Sequence, residues 1–239
     1  MKDKGNDIYA GYFTSRGMGF DSYSGYVLPA YLQQILPSER DAAILDIGCG
    51  LGQMLQSLRA EGYTDLAGLD VSGEAVSACT AKGLDVSKID SLADYCRTAG
   101  KQFEFIIMSH VIEHVEKAEI IQTLSLIRSR LLKEGGRLVV ITPNAQSHTG
   151  CYWAYEDFTH STIFTAGSLY FVLKCAGFKN IEFIDTFGTA GSSFLGRIIK
   201  RVLTVVYKAN IAFWNRVTSS SFHRPSPQIF TYEIKVIAR

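Results

Sequence analysis

Two carboxylates and a glycine turn dominate the chemistry readable from this chain. Leu45-Asp46-Ile47-Gly48-Cys49-Gly50-Leu51-Gly52-Gln53 closes an apolar stretch with alternating glycines, and Asp70 closes the next one, Ala67-Gly68-Leu69-Asp70. An apolar strand, a glycine turn, a helix and a second strand form the layout that holds a nucleoside cofactor at the open end of a parallel sheet. The glycines let the backbone approach a ligand closely. Asp70, about 20 residues after the turn, is placed for ribose hydroxyls. Amide-lined turns favour a pyrophosphate, but a carboxylate at Asp46 repels one. A nucleoside bearing positive charge is therefore expected. S-adenosylmethionine, with its ammonium and sulfonium and no phosphate, meets that requirement. The alternative is a turn whose glycines serve strand-to-helix packing alone.

A second group of polar side chains follows the apolar run 103–108. His110, Glu113 and His114 share one helix face if a helix starts at Ser109, a spacing that can present metal ligands. His148 or His160 would have to complete such a site. The plainer reading has no metal, with Glu113 and His114 bonded to neighbouring loops. Between Thr142 and Phe164 lie His148, Tyr152, Trp153, Tyr155, Asp157, Phe158, His160 and Phe164. So long and aromatic a loop suits an acceptor site: ring faces for a sugar or flat ring, and imidazole and carboxylate for acid–base work near neutral pH. The bland alternative is a lid whose aromatics are core.

The elements that must position these groups alternate along the chain. Residues 1–21 read as a loose aromatic arm and Tyr23 to Leu36 as a helix ended by Pro37. Strands are expected at 42–47, 66–69, 84–86, 103–108, 137–141, 181–184 and 229–237, and helices at 52–61, 73–81, from 109 through Leu132, and at 166–176. Strands separated by helices imply an α/β fold, a mostly parallel sheet with helices on both faces. Ligands then bind beyond the carboxyl ends of the strands. That places Asp46, Gly48, Cys49, Gly50, Gly52, Asp70 and Val71 around the cofactor, with Ser109 and His110 on the floor. The adenine is expected near Ile89, Asp90 and Ser91, where Asp90 either accepts from the exocyclic amine or is a solvated loop acid. An arm at Tyr9, Tyr12 and Arg16 either folds over the cofactor, with Arg16 facing its carboxylate, or stays loose.

Four segments carry a family resemblance: Asp46 to Gly52, Gly68-Leu69-Asp70-Val71-Ser72, Phe105 to Val115, and Leu132-Lys133-Glu134-Gly135-Gly136-Arg137-Leu138. In this order they resemble the successive motifs of class I S-adenosylmethionine-dependent methyltransferases over residues 40–185. The nearest group contains ubiquinone-biosynthesis O-methyltransferases and methyltransferases of polysaccharide gene clusters. The resemblance implies a Rossmann-like seven-stranded sheet with the last strand antiparallel, and S-adenosylhomocysteine as product. Residues 110–114 also resemble the magnesium site of small-RNA 2′-O-methyltransferases and some quinone O-methyltransferases. His110 stands where those have glutamate, which disfavours magnesium. An alcohol acceptor must lose a proton as the new bond forms. His160, oriented or charge-stabilised by Asp157, is the first candidate base, His114 the second and His148 the third.

Composition bounds the rest. The 239 residues are 47% apolar with a formal charge of +1, enough for one α/β domain and without a global nucleic-acid signal. Cys49, Cys79, Cys96, Cys151 and Cys175 form no CxxC pair and suggest a reducing cytoplasm. Met1 to Asp7 lacks a leader's apolar core, and no apolar run reaches bilayer length. The expected organisation is one domain: arm and helix (1–37), cofactor-binding core (38–185), basic helical insertion (186–228) and final strand (229–239).

The insertion has Arg197, Lys200, Arg201, Lys208, Arg216 and Arg224 and no acid from Thr186 to Tyr232, so the rest of the chain is net acidic. Arg197, Arg201, Thr204, Lys208 and Asn215 make a narrow polar stripe on a helix over 194–217 that is otherwise largely apolar. Packing of that apolar surface on the domain is the first expectation, with a homodimer or peripheral contact on the inner face of the membrane as alternatives. Three functions follow: O-methylation of a sugar hydroxyl in a bacterial surface polysaccharide or its precursor, O-methylation of a quinone precursor or other small metabolite, or a non-catalytic cofactor-binding regulator.

Overall fold

A computed structural model describes residue 9 and residues 11–19, 21–223 and 226–239. Met1 to Asp7, on which the leader reading rests, and Arg224, one of the counted cations, lie outside the described residues. The chain runs α1 (Tyr12–Ser15), α2 (Ala30–Gln33), β1 (Ile44–Ile47), α3 (Gln53–Ala60), β2 (Leu66–Asp70), α4 (Gly73–Ala81), β3 (Val86–Lys88), α5 (Leu92–Thr98) and β4 (Phe103–Ser109). A 3-10 turn (Ile112–His114), α6 (Ile120–Leu126) and a π-helical turn (Ile127–Leu131) lead into β5 (Leu132–Pro143). Then come α7 (Gly150–Glu156), α8 (Ala166–Cys175), β6 (Ile181–Phe183), α9 (Phe194–Val217) and β7 (Glu233–Ala238).

The strands form one seven-stranded sheet in the order β3-β2-β1-β4-β5-β7-β6. β7 is antiparallel to both neighbours, β5 and β6, and the other pairings are parallel. Central strands β1 and β4 are buried on both faces, as their near-continuous apolar runs require. One face is covered by Ile120, Leu124, Ile127, Leu169 and Leu173, the other by Leu28, Leu32, Met54 and Leu58. The crossover from β1 outward to β3 and from β4 outward to β5 reverses strand order between β1 and β4. A crevice opens there.

Several boundaries differ from the sequence expectation for physical reasons. The helix expected over Tyr23–Leu36 shrinks to Ala30–Gln33, because Pro29 disfavours helical geometry in the residue before it and starts the helix instead. The long helix expected from 109 to 132 begins with a left-handed residue, His110 at φ 55°, and only becomes α-helical at Ile120. Residues 92–98 form a helix that the sequence reading did not place, with Ser91 accepting from the Asp94 amide as its N-cap.

The largest departure is α9. None of its residues is buried, and the half-buried ones, Gly196, Thr204, Tyr207, Lys208, Ile211 and Asn215, lie on and beside the polar stripe. Lys208 sits over the rings of Phe187 (5.4 Å) and Phe230 (5.9 Å), and Arg201 over Phe187 (5.8 Å). The helix thus docks by its polar side. Val202, Leu203, Val206, Phe213 and Trp214 stay exposed, so the first expectation, apolar packing on the domain, is overturned.

Candidate active site

The strand ends β1, β2 and β4 and the arm enclose a cavity of about 790 Å³. At its centre the glycine turn folds back on β2. The Gly48 and Cys49 amides both donate to the Leu69 carbonyl (2.7 and 3.1 Å), and the Gly52 amide to the Cys49 carbonyl (2.9 Å). The Gly50 amide donates to Asp70 Oδ2 at 2.8 Å, while Asp70 Oδ1 accepts from the Ser72 amide at 2.8 Å. Gly48 has φ +71°, and a Cβ there would lie 2.2 Å from Val111 Cγ2, so only glycine fits. The amides that would cradle a phosphate are therefore spent inside the protein.

Asp46 stands beside this turn, buried and without a hydrogen-bond donor among the described residues. Burial, and then the neighbouring Asp70 charge, push its carboxyl up to about 8. Burial also raises Asp70, against the pull of the Ser72 and Gly50 amides. A cation entering here would restore both carboxylates.

The expected cofactor residues Asp46, Gly48, Cys49, Gly50, Asp70, Val71, Asp90, Ser91, Ser109 and His110 all line the cavity. Gly52 does not. It caps α3, and a Cβ there would meet Cys79 Sγ at 2.8 Å and Leu84 Cδ1 at 2.5 Å, so its role is packing.

Across the cavity a relay runs through the loop after β5. Asp157 is buried, and its carboxylate accepts from Tyr12 Oη (2.6 Å), the Thr159 amide (3.0 Å) and Thr159 Oγ1 (2.6 Å) while pairing with Arg16 (2.8 Å). Burial opposes ionisation, but these hydrogen bonds prevail and hold it well below the usual carboxylate range. Thr159 spends its hydroxyl hydrogen on the bond to Asp157, so at 2.8 Å its oxygen accepts from His114 Nδ1. That tautomer leaves a lone pair on His114 Nε2. His160 Nδ1 donates to the Trp153 carbonyl (2.7 Å), which frees its Nε2 in the same way. The two rings lie 4.7 Å apart, and burial, with His160 nearby, lowers the pKa of His114. His114 is therefore neutral near pH 7.

Asp157 was expected to orient or charge-stabilise His160. Its Oδ2 lies 3.9 Å from His160 Nε2, an ion-pair distance with no hydrogen bond, while its other oxygen orients His114 through Thr159. Arg16, expected either to face the cofactor or to belong to a loose terminus, lines the cavity and clasps the arm to Asp157. His148, the third candidate base, is exposed on the turn before α7 and does not line the cavity.

His110 points elsewhere. Its Nε2 lies 2.9 Å from Glu233 Oε1 and its Nδ1 3.3 Å from Glu113 Oε1. Burial lowers its pKa, yet the two carboxylates outweigh that and lift it to about 9, so its ring is an imidazolium at neutral pH and no base. The three residues 110, 113 and 114 are not on one helix face. The ligand atoms that do meet, within 4.8 Å, belong to Glu113, His114 and His160. Two imidazoles and one carboxylate fit a borderline cation such as zinc better than magnesium, although Glu113 Oε1 already faces the His110 ring at 3.3 Å.

Of the loop aromatics only Trp153 lines the cavity. Tyr152, Tyr155 and Phe158 face solvent, and Phe164 is core. The rest of the aromatic wall comes from Tyr9, Tyr12 and Phe13 of the arm and from Tyr23, Tyr26 and Tyr31 leading into and within α2, which the sequence does not announce as a wall. Their density between residues 9 and 31 was the available signal.

Comparison with known proteins agrees with this geometry. The family described as "Methyltransferase domain" matches residues 20–183. Ubiquinone biosynthesis O-methyltransferase of Brucella anthropi is 29% identical over 42% of this chain and 41% of its own length. The enzyme of that name from Cereibacter sphaeroides is 28% identical over 58% of this chain and 61% of its own. The chain thus spans about two to three fifths of these relatives. A solved structure of a SAM-dependent methyltransferase from Archaeoglobus fulgidus has a TM-score of 0.64 at 22% identity, covering 97% of this chain and 99% of that one. With a family match over more than half its residues and the sheet order to accompany it, this chain belongs to the methyltransferase-domain family.

Proposed function

We propose that the chain is an S-adenosylmethionine-dependent O-methyltransferase acting on a hydroxyl of a ring-shaped acceptor, a sugar of a bacterial surface polysaccharide or its precursor. The observation that carries the cofactor is the glycine turn: its amides are internally satisfied, and its free polar groups, Asp46 and Asp70, are carboxylates. That site repels phosphate and favours a cationic nucleoside. Asp70 retains lone pairs for the ribose, and Asp46 faces the positive end.

S-adenosylmethionine supplies a methyl group on a sulfonium that leaves as neutral S-adenosylhomocysteine. The protein must align the acceptor oxygen, exclude water and accept the proton. His114, kept neutral and held in one tautomer by the Asp157–Thr159 relay, receives that proton on Nε2 as the carbon–oxygen bond forms. His160 is the second imidazole within reach of the same space. Trp153 and the arm tyrosines supply faces against which a ring can stack. The cysteine pattern is consistent with action in the cytoplasm.

A quinone-precursor phenol is the second reading, favoured by the printed names of the curated relatives. A phenol is more acidic than a sugar hydroxyl, so His114→Ala should cost a phenol-methylating enzyme far less. Methyl-labelled S-adenosylmethionine offered with a panel of glycan precursors and phenols separates the two. Saturable binding without transfer to any acceptor would instead favour a non-catalytic regulator.

A further inference from the structure

We propose that α9 is a membrane-docking helix that lies in the plane of an anionic lipid surface and seats its outward apolar face among the lipids. This goes beyond the acceptor reading and does not depend on it. A helix on a water-soluble domain normally buries its apolar stripe and exposes its polar one. α9 does the reverse over 24 residues.

The face turned to the domain carries Thr204, Lys208 and Asn215, fixed by the Phe187 and Phe230 rings and by Lys200, whose Nζ donates to the Gly188 carbonyl at 2.8 Å. The opposite face presents Leu195, Ile198, Val202, Val206, Phe213 and Val217, all exposed. At 3.6 residues per turn these cover an arc of roughly 100° along about 33 Å. An apolar patch of that extent marks a docking surface.

Charge chooses the occupant. From Thr186 to Tyr232 the chain has no acidic residue; Arg216 borders the apolar arc and Lys200 and Arg201 stand further round its two sides, while Arg197 and Lys208 lie toward the domain. Two copies of α9 packed through this face would bring Arg216 and the neighbouring cations at its edges together with no carboxylate from either segment. Anionic headgroups supply the missing charge, and arginine and lysine stems can reach them from an embedded helix. Among the described residues no helix is long and apolar enough to cross a membrane, so the helix lies on the surface rather than spanning it. The chain returns from α9 through Phe230 to Tyr232, whose ring stands 5.3 Å from Trp153 at the cavity. The domain-facing side of α9 and the acceptor wall are thus linked through Phe230 and Tyr232.

Flotation of the full chain with vesicles of phosphatidylcholine, with and without phosphatidylglycerol, tests the proposal. The wild type is expected to float with the anionic vesicles at low ionic strength, with recovery falling as salt rises. Val202→Glu with Phe213→Glu should reduce that recovery by about tenfold or more, and Arg216→Gln by about fivefold. These positions are exposed and outside the cavity, so S-adenosylmethionine binding measured on each variant reports that the fold is intact. No recovery of wild type on anionic vesicles at low salt overturns the proposal. So does equal recovery of the glutamate variant, or a stable dimer in light scattering that the same variant dissociates.

Discussion

Asp46 makes cofactor binding a proton-linked event. With its carboxyl raised to about 8 by burial and by Asp70, only roughly one molecule in ten carries the ionised form at pH 7. A cationic ligand selects that form, so binding at pH 7 should release close to one proton, about 0.9, into the buffer. Below about pH 8 affinity should improve roughly tenfold per pH unit, about 1.4 kcal/mol, and flatten above it. Calorimetric titration with S-adenosylmethionine in two buffers of different ionisation enthalpy counts the protons. Asp46→Asn is the control, because the titration of the ligand's own amine is common to both proteins.

The linkage has an opposite sign for folding. The folded state holds the Asp46 proton more tightly than the unfolded chain, so the contribution of Asp46 to ligand-free stability is greatest below about pH 4 and declines as pH rises toward 8. Asp46→Asn should therefore raise the ligand-free Tm at pH 8, leave it little changed at pH 4, and weaken cofactor binding. Equal proton release by wild type and variant, or affinity independent of pH between about 6 and 8, would refute the reasoning.

Further expectations concern the relay, the turn and the histidines. Thr159→Val removes the oxygen between Asp157 and His114, and kcat should drop by about tenfold to a hundredfold with cofactor affinity unchanged; rescue by Thr159→Ser distinguishes positioning from bulk. Because burial lowers His114, the acid limb of its kcat profile should fall below the imidazole range, and unchanged activity of His114→Ala would remove it from the base role. Gly48→Ala drives a Cβ into Val111 at a left-handed backbone position and should cost about 2 to 4 kcal/mol in denaturant unfolding, partly recovered by Val111→Ala. Turnover should survive exhaustive chelation, since His114 needs no metal to accept a proton; loss of turnover restored by zinc would instead assign the Glu113, His114 and His160 cluster to a metal.

Local patterns carried most of the fold in the sequence. The glycine turn, Asp70 and the buried runs of β1 and β4 announce themselves within a few residues, because strand burial and left-handed turns constrain residue type at each position. Features decided by distant partners were hidden. Asp157 reads as a partner of His160 three positions away, yet its Oδ1 commitment to Thr159 places it behind His114, forty-three positions earlier in the chain. The tyrosines of the arm look like a terminus until Arg16 and Tyr12 fasten onto Asp157. Periodicity located α9 but not its orientation, since a repeat of 3.6 defines a face without saying which side meets the protein. Pro29 was visible and should have shortened the first helix.

The account rests on a turn built to accept a cationic nucleoside and refuse a phosphate. Titrating the full chain with S-adenosylmethionine and, separately, with NAD tests that directly. Saturable one-to-one binding of S-adenosylmethionine with no detectable heat from NAD is the predicted result. Binding of NAD, with none of S-adenosylmethionine, would contradict it.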